Sequence, residues 1–214
     1  MATYIIVAII AYLLGSINFS IIISKKMAGF DIREKGSGNA GTTNMLRAVG
    51  KKAAAITLVC DILKGVVAIL VAILIGNIIK NLDNNAKAIL VQLAGIFVIV
   101  GHTFPVFYKF KGGKGIATSL GILLMTNWQI GLICLVFALV LIALTKMVSV
   151  GSISAGILFP ILVAFINQNY IIQTENSNWS YLIFSIIIAL LVIFNHRANV
   201  QRILNGTENK ISFK

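Results

Sequence analysis

The sequence predicts an all-α polytopic membrane protein of seven transmembrane helices, one of them short, with the N-terminus outside and the C-terminus inside. Three observations lead there. Of 214 residues, 58% are hydrophobic and only 11% charged, whereas an ordinary soluble domain carries about 25% charged residues. Mean hydropathy is +0.96, which leaves too little polar surface to cover a water-soluble globule. The formal charge of +12, from 18 Lys and Arg against 6 Asp and Glu, must then crowd into the few segments that meet water. Cationic loops of that kind serve topology, anionic lipid headgroups or an anionic substrate.

Apolar runs fall at 3–24, 54–79, 88–108, 116–126, 128–145, 152–169 and 179–195. A span takes about 20 residues, within a range of about 17–25. The first run has no basic stretch before it, while Lys25 and Lys26 follow it. It therefore reads as a retained first helix with its N-terminus outside, not as a cleaved signal. The runs at 116–126 and 128–145 pose a question of parity. Residues 116–126 are too few for a full span, yet 116–145 is too long for one. If the chain turns near "TNWQ", the basic segments all share one side: Lys25, Lys26, Arg33, Lys35, Arg47, Lys51 and Lys52 against Asp31 and Glu34; then Lys109, Lys111 and Lys114; then Lys146; then Arg197, Arg202, Lys210 and Lys214. The outer loops keep Lys80, Asp83, Lys87 and Glu175. A single helix over 116–145 would send the basic tail outward, against the positive-inside rule. Seven spans follow, with 116–126 short or a half-helix. No repeat divides the chain, so 1–214 reads as one domain. Cys60 and Cys134 sit in apolar runs as small hydrophobes, and no Cys/His pattern suggests a metal.

Three stretches on the inner side are unlike ordinary loops: "GSGNAGTTNMLR" (36–47), "GHTFPVFYKFKGGKG" (101–115) and "NHRANVQRILNGTE" (195–208). The first contains G-x-G-x-x-G spacing. A dinucleotide fingerprint needs a strand before it, a helix after it and an acidic residue about 20 positions on. Here an apolar helix precedes it, and Asp61 lies inside another apolar run. The second stretch fails as a Walker A loop, because Gly115 follows Lys114 where Ser or Thr is required. The underlying physics still applies. Glycines let backbone N–H groups approach an anion, and a helix N-terminus favours one. Gly112, Gly113 and Gly115 lead into the helix predicted from Ile116, with Lys111 and Lys114 beside them; Ser37, Asn39, Thr42, Thr43 and Asn44 offer neutral donors, and Arg47 a planar fork suited to phosphate. "KK" at 25–26 and 51–52 reads as plain positive-inside charge, but topology needs no glycines in "KFKGGKG".

His102 and His196 lie at predicted helix ends. Each fits a structural hydrogen-bonding role or a catalytic one, and His196 would crowd with Arg197 and Asn199 if its segment is helical. Asp61 and Lys64, spaced i, i+3, either pair on one helix face or line a polar cavity, since a lone charge in mid-membrane costs at least about 2.5–3.5 kcal/mol.

Together the three stretches resemble the bacterial acyl-phosphate:glycerol-3-phosphate acyltransferase family, over nearly the whole chain. "GSGNAGTTN" is similar to its first motif, commonly G-S-G-N-P-G-A-T-N. "GHTFPVFYKFKGGKGIAT" is similar to its second, and "HRANVQRILNGTE" to its third. Ala40 stands where Pro is usual and Thr42 where Ala is usual; neither change removes a donor or a charge. The resemblance implies a seven-helix, N-out/C-in enzyme of the bacterial cytoplasmic membrane, with its site facing the cytoplasm. It implies transfer of a fatty acyl group from acyl phosphate to the 1-hydroxyl of sn-glycerol 3-phosphate, with release of inorganic phosphate. It implies no cofactor, no metal and no acyl-CoA or acyl-carrier-protein donor. By motif position, Ser37 and Arg47 would contact substrate phosphate, and Lys114, His196 and Asn199 would complete the pocket. Ser37, Lys114, His196 and Asn199 are the expected catalytic set. Gly38, Asn39, Thr43, Asn44, Arg47, Lys111, Gly112 and Gly113 are expected to bind substrate. "VGSISAG" at 150–156 adds a serine, Ser152. Partners would be the two substrates and the lipid bilayer, without nucleic acid. The enzyme that forms acyl phosphate is a candidate associate, and the chain is expected to be a monomer.

The chemistry fits those residues. Acyl phosphate is an activated anhydride, so positioning and charge stabilisation carry the reaction. No Ser-His-Asp relay is visible, which favours direct attack by the glycerol hydroxyl, with His196 or a substrate phosphate oxygen as base. Two rival readings remain: a transporter of a phosphorylated solute, for which an interrupted helix and Asp61 with Lys64 would serve, and a lipid-binding scaffold, which leaves the spaced glycines unexplained.

Overall fold

The protein is described by a computed structural model over residues 1–166 and 177–211. The expectations placed on Glu175, Lys214 and the last residues of the 152–169 run lie outside the described residues. Among the described residues ten α-helices follow in order: α1 (Ala2–Ser16), α2 (Phe19–Ala28), α3 (Thr42–Ala48), α4 (Lys51–Ile78), α5 (Asn84–Thr103), α6 (Ile116–Thr126), α7 (Trp128–Thr145), α8 (Val148–Phe165), α9 (Ser177–Asn195) and α10 (Arg197–Leu204). Short 3₁₀ turns stand at Ile32–Glu34 and Val106–Tyr108. Among the described residues there is no strand, which leaves no βαβ unit for a dinucleotide.

Among the described residues, five helical stretches are long and apolar enough to cross a bilayer: Ala2–Ala28, Lys51–Ile78, Asn84–Tyr108, Trp128–Thr145 and Val148–Phe165. A sixth is α9 with α10, bent by 60° at His196. The 11 residues of α6 rise about 16 Å, half of a hydrocarbon core of about 30 Å.

The first run is one helix by its hydropathy, but the structure breaks it. Asn18 accepts hydrogen bonds from Ser20 Oγ (2.7 Å) and from the Ile21 amide (3.2 Å), so its side chain caps α2 rather than letting α1 continue. Asn127 makes the corner expected near "TNWQ". Its own amide closes α6 on the Leu123 carbonyl at 2.8 Å, while its side chain accepts from the Ile130 amide at 3.0 Å and starts α7.

Large apolar side chains on α7 and α9, such as Val136, Leu139, Leu144, Ile183 and Leu190, point away from the protein, as lipid-facing surface does. The interior is closed by aromatic edges among Phe159, Tyr181 and Phe184 (centroids 5.4–6.4 Å apart) and by small residues. A Cβ on Gly65 would meet the Thr118 carbonyl, and one on Gly121 the Ile62 carbonyl, so α4 and α6 touch backbone to backbone. The result is a bundle in which α5 lies between α1 and α9, with the three unusual stretches brought together at one end.

Candidate active site

The first stretch is folded by one amide. Asn44 is buried. Its Nδ2 donates to the carbonyls of Ile32 (3.1 Å), Lys35 (2.9 Å) and Asn39 (3.1 Å), and its Oδ1 accepts from the Ser37 amide (2.9 Å). All its capacity goes into shaping the turn. That leaves Ser37 and Gly38 exposed on the outside, with Asn39 and Thr43 half-buried. Arg33, not singled out by the sequence, joins this turn to the second stretch. Its guanidinium forks onto Asp31 (2.9 and 2.8 Å) and donates to the carbonyls of Tyr108 (2.8 Å) and Lys111 (3.2 Å). That hydrogen-bonded pairing holds the Asp31 carboxyl below its ordinary value against the opposing effect of burial.

In the second stretch the glycines do a different job from the one expected. The Gly112 amide donates to the Thr103 carbonyl (3.0 Å) and the Gly113 amide to the His102 carbonyl (3.1 Å). Both amides are therefore occupied by the end of α5 and are not turned to an anion. Glycine is required because the loop lies so close: a Cβ on Gly112 would run into the His102 carbonyl, and one on Gly113 into the His102 ring and the Ala40 carbonyl. The loop thus presents its next side chain, Lys114, while Lys111 stays exposed.

Lys114 reaches the third stretch and hydrogen-bonds Asn199 Oδ1. Asn199 in turn donates to Glu208 Oε1 (2.7 Å), which also accepts from Ser149 Oγ (2.8 Å); Glu208 Oε2 accepts from Arg202 Nε (2.8 Å). Glu208 is the hub. Burial works to raise its pKa but is outweighed by the donors of Asn199, Ser149 and Arg202, so the carboxyl lies below its ordinary value and stays charged. Burial, with the charges of Arg202 and Arg47, brings Lys114 down to about 8. Arg47, which is exposed, donates to the Asn209 carbonyl at 3.3 Å.

His196 sits at the bend between α9 and α10. Its Nδ1 lies 2.8 Å from the Val192 carbonyl. A carbonyl only accepts, so Nδ1 carries the proton and Nε2 keeps its lone pair. Burial, reinforced by Lys114, holds this imidazole neutral with a pKa of about 4. It is an acceptor for a hydroxyl and a weak base.

The structure thus joins Lys114, His196, Asn199 and Arg47 with Glu208 and Arg202, and docks the Asn44 turn against them through Arg33 and Ala40. It does not tie Ser152 into this network. Ser149, one turn of α8 earlier, makes the bond to Glu208 instead. Glu208 had a signal, as the lone carboxylate of a basic stretch; Ser149 had none. Among the described residues no cluster of His, Cys, Asp and Glu has metal-site geometry.

Comparison with known proteins places the chain in a family. A family model described as glycerol-3-phosphate acyltransferase matches residues 5–206. A glycerol-3-phosphate acyltransferase of Clostridioides difficile (strain 630) is 43% identical over 212 residues, covering 99% of this chain and 97% of the relative. Another, from Thermoanaerobacter sp. (strain X514), is 46% identical over 211 residues, covering 98% and 96%. The fold is similar to the crystal structure of PlsY (YgiH), an integral membrane glycerol 3-phosphate acyltransferase, in its glycerol 3-phosphate form, with a TM-score of 0.79, 33% identity, and 98% of this chain and 96% of that one covered. Its lysophosphatidic acid form superposes equally, with a TM-score of 0.79 at 32% identity, covering 98% and 95%. With matches of that length and identity, this chain belongs to the glycerol-3-phosphate acyltransferase family.

Proposed function

We propose that the chain transfers a fatty acyl group from acyl phosphate to the 1-hydroxyl of sn-glycerol 3-phosphate, giving 1-acyl-glycerol 3-phosphate and inorganic phosphate. One observation carries this reading: three cations, Arg47, Lys114 and Arg202, gather around a single carboxylate, Glu208, at one end of an apolar bundle. The local charge is in excess, and the carboxylate's oxygens are already taken by Asn199, Ser149 and Arg202. Such a place is suited to a phosphate, and both substrates carry one.

The hydroxyl oxygen of glycerol 3-phosphate attacks the acyl carbonyl carbon. A new C–O bond forms, the bond from acyl carbon to phosphate oxygen breaks, and phosphate leaves with that electron pair. The hydroxyl proton passes to His196 Nε2 or to a phosphate oxygen of the substrate. A base of pKa about 4 is weak, and the substrate phosphate is the better acceptor; His196 then orients the hydroxyl. Lys114 and Arg47 stabilise the charge on the departing phosphate, and Ser37 donates to a phosphate oxygen from its exposed turn. Asn199 holds Lys114 in place, and Asn44 holds the turn. Ser152 keeps only a supporting place beside Ser149. No acyl-enzyme is needed.

The chain works as a monomer in the bacterial cytoplasmic membrane. It has seven spans, with α6 as the short one, N-terminus out, C-terminus in and the site toward the cytoplasm. The basic segments all lie at the site end of the bundle, which supports that orientation.

The test is to offer the purified protein in lipid labelled glycerol 3-phosphate with palmitoyl phosphate, palmitoyl-CoA or palmitoyl-acyl carrier protein. Lysophosphatidic acid from palmitoyl phosphate alone is expected. Product from either other donor alone would overturn the donor assignment. No product from any donor, with folded protein, would overturn the enzymatic reading.

A further inference from the structure

We propose that Lys64, with Asp61 and His102, is the positioning centre of the substrate site: one buried ammonium fixes the end of α5 on which the lysine loop rests and the helix break that launches the first motif. The inference rests on the acyltransferase reading above and extends it to residues sealed inside the bundle.

Lys64 lies inside α4 with its side chain 4% exposed, and Asp61 and His102 are sealed to the same degree at 2% and 3%. Four acceptors surround its ammonium: His102 Nδ1 at 2.7 Å, Asp61 Oδ1 at 2.8 Å, and the carbonyls of Ile17 at 3.1 Å and Gly15 at 3.4 Å. The Asp61 oxygen stands off the direction of a hydrogen bond and acts as the counter-charge. The two carbonyls are those released where α1 stops at the Asn18 break, and Phe19 lays its ring 5.8 Å from the same Nζ. Filling this space would take only an apolar side chain. A charge saturated by partners on three separate elements is instead a geometric constraint on all of them.

Two consequences reach the site. An ammonium has only protons to offer, so His102 Nδ1 accepts and the imidazole proton sits on Nε2. That nitrogen faces Gly113, where an added Cβ would collide with it and with the Ala40 carbonyl. The His102 ring therefore fills the gap between the lysine loop and the first motif's turn. Its carbonyl and that of Thr103 hold the Gly113 and Gly112 amides, one residue before Lys114. Asn195 adds a brace, donating to Thr103 Oγ1 (3.1 Å) and to the Lys114 carbonyl (3.4 Å). On the other side, α2 leads from the break to Ser24, whose Oγ receives the Ile32 amide at 3.1 Å, and so to the turn that Asn44 closes. A displacement of about 1 Å from outside the chemistry is enough to cost about 100-fold in rate.

The test is the double variant Asp61→Asn/Lys64→Met, which removes both charges together and so leaves no unpaired buried ion. Unfolding temperature, kcat and KM for glycerol 3-phosphate are measured on wild type and variant in lipid. The expected result is a folded variant, melting within a few degrees of wild type, with KM for glycerol 3-phosphate raised about 10-fold and kcat/KM lowered about 100-fold. A lower melting temperature with unchanged KM in the folded fraction would mean packing only, and would overturn the inference. Should the double variant not fold, His102→Asn is read by the same criteria; its Oδ1 still accepts from Lys64, but the side chain no longer reaches Gly113. Wild type inactive on glycerol 3-phosphate would instead refute the acyltransferase reading, whereas active wild type with an indistinguishable variant would refute this inference alone.

Discussion

Lys64, sealed inside α4, and Lys114, half-buried at the end of its loop, each have a histidine and a carboxylate close by, and the difference between their surroundings separates a structural centre from a reactive one. Around Lys64 the charges balance: one ammonium, one carboxylate, and neutral acceptors that take up every proton. Around Lys114 they do not. Glu208 answers Arg202 directly and Lys114 only through Asn199, while Arg47 adds a further positive charge nearby. A saturated ion cluster has nothing left to offer a ligand. An unbalanced one waits for an anion.

The comparison is broken most severely by removing the unbalanced cation. Lys114→Ala is expected to lower kcat/KM for glycerol 3-phosphate by about 10²–10³, the cost typical of one lost donor at a developing charge, with little change in unfolding temperature. Steady-state kinetics beside thermal unfolding would check both halves. Glu208→Ala attacks the hub instead. It orphans the buried donors of Asn199 and Ser149, at about 1–3 kcal/mol each, and releases the partly exposed Arg202 to water. Activity and melting temperature should fall together, unlike in Lys114→Ala.

The pH dependence sharpens the contrast. Lys114 has its pKa lowered from 10.5 to about 8, so its ammonium is present below that pH and discharges above it. KM for glycerol 3-phosphate should climb as pH rises through about 8. Lys114→Arg, which stays charged, should remove that alkaline rise whatever its rate. A KM profile from pH 6 to about 10 reads the difference. The smallest expected effect separates two serines. Ser149→Ala loses one bond to Glu208, worth about 1 kcal/mol or about fivefold, and Ser152→Ala should stay within about twofold.

Much of this was legible in the sequence. Helices at 116–126 and 128–145 coincide with the expected runs because "TN" before Trp128 supplies both a stop and a cap in one residue, Asn127. The three motifs meet as expected because each lies at the end of an apolar run on the same side. What the sequence hid is of two kinds. A side chain that competes with its own helix, such as Asn18, leaves no mark in hydropathy. Partnerships across long separations leave none either: Ser149 and Glu208 are 59 positions apart, and Lys64 and His102 38 apart. From sequence the glycines read as anion-facing amides, because composition shows their freedom but not its use. In the fold that freedom lets the loop lie against α5. Asn44, read as a substrate contact, is buried in the turn's own backbone for a related reason, since an amide in a Gly-rich loop satisfies the carbonyls that no helix takes.

The most direct test of the central claim, that the unbalanced cations around Lys114 bind the acceptor's phosphate, is equilibrium binding of glycerol 3-phosphate to wild type and Lys114→Ala in lipid nanodiscs, without acyl donor and at two salt concentrations. Binding to wild type is expected to weaken with salt and to fall at least tenfold in the variant. Equal affinity in the two proteins would contradict that claim, and would place the phosphate elsewhere at this end of the bundle.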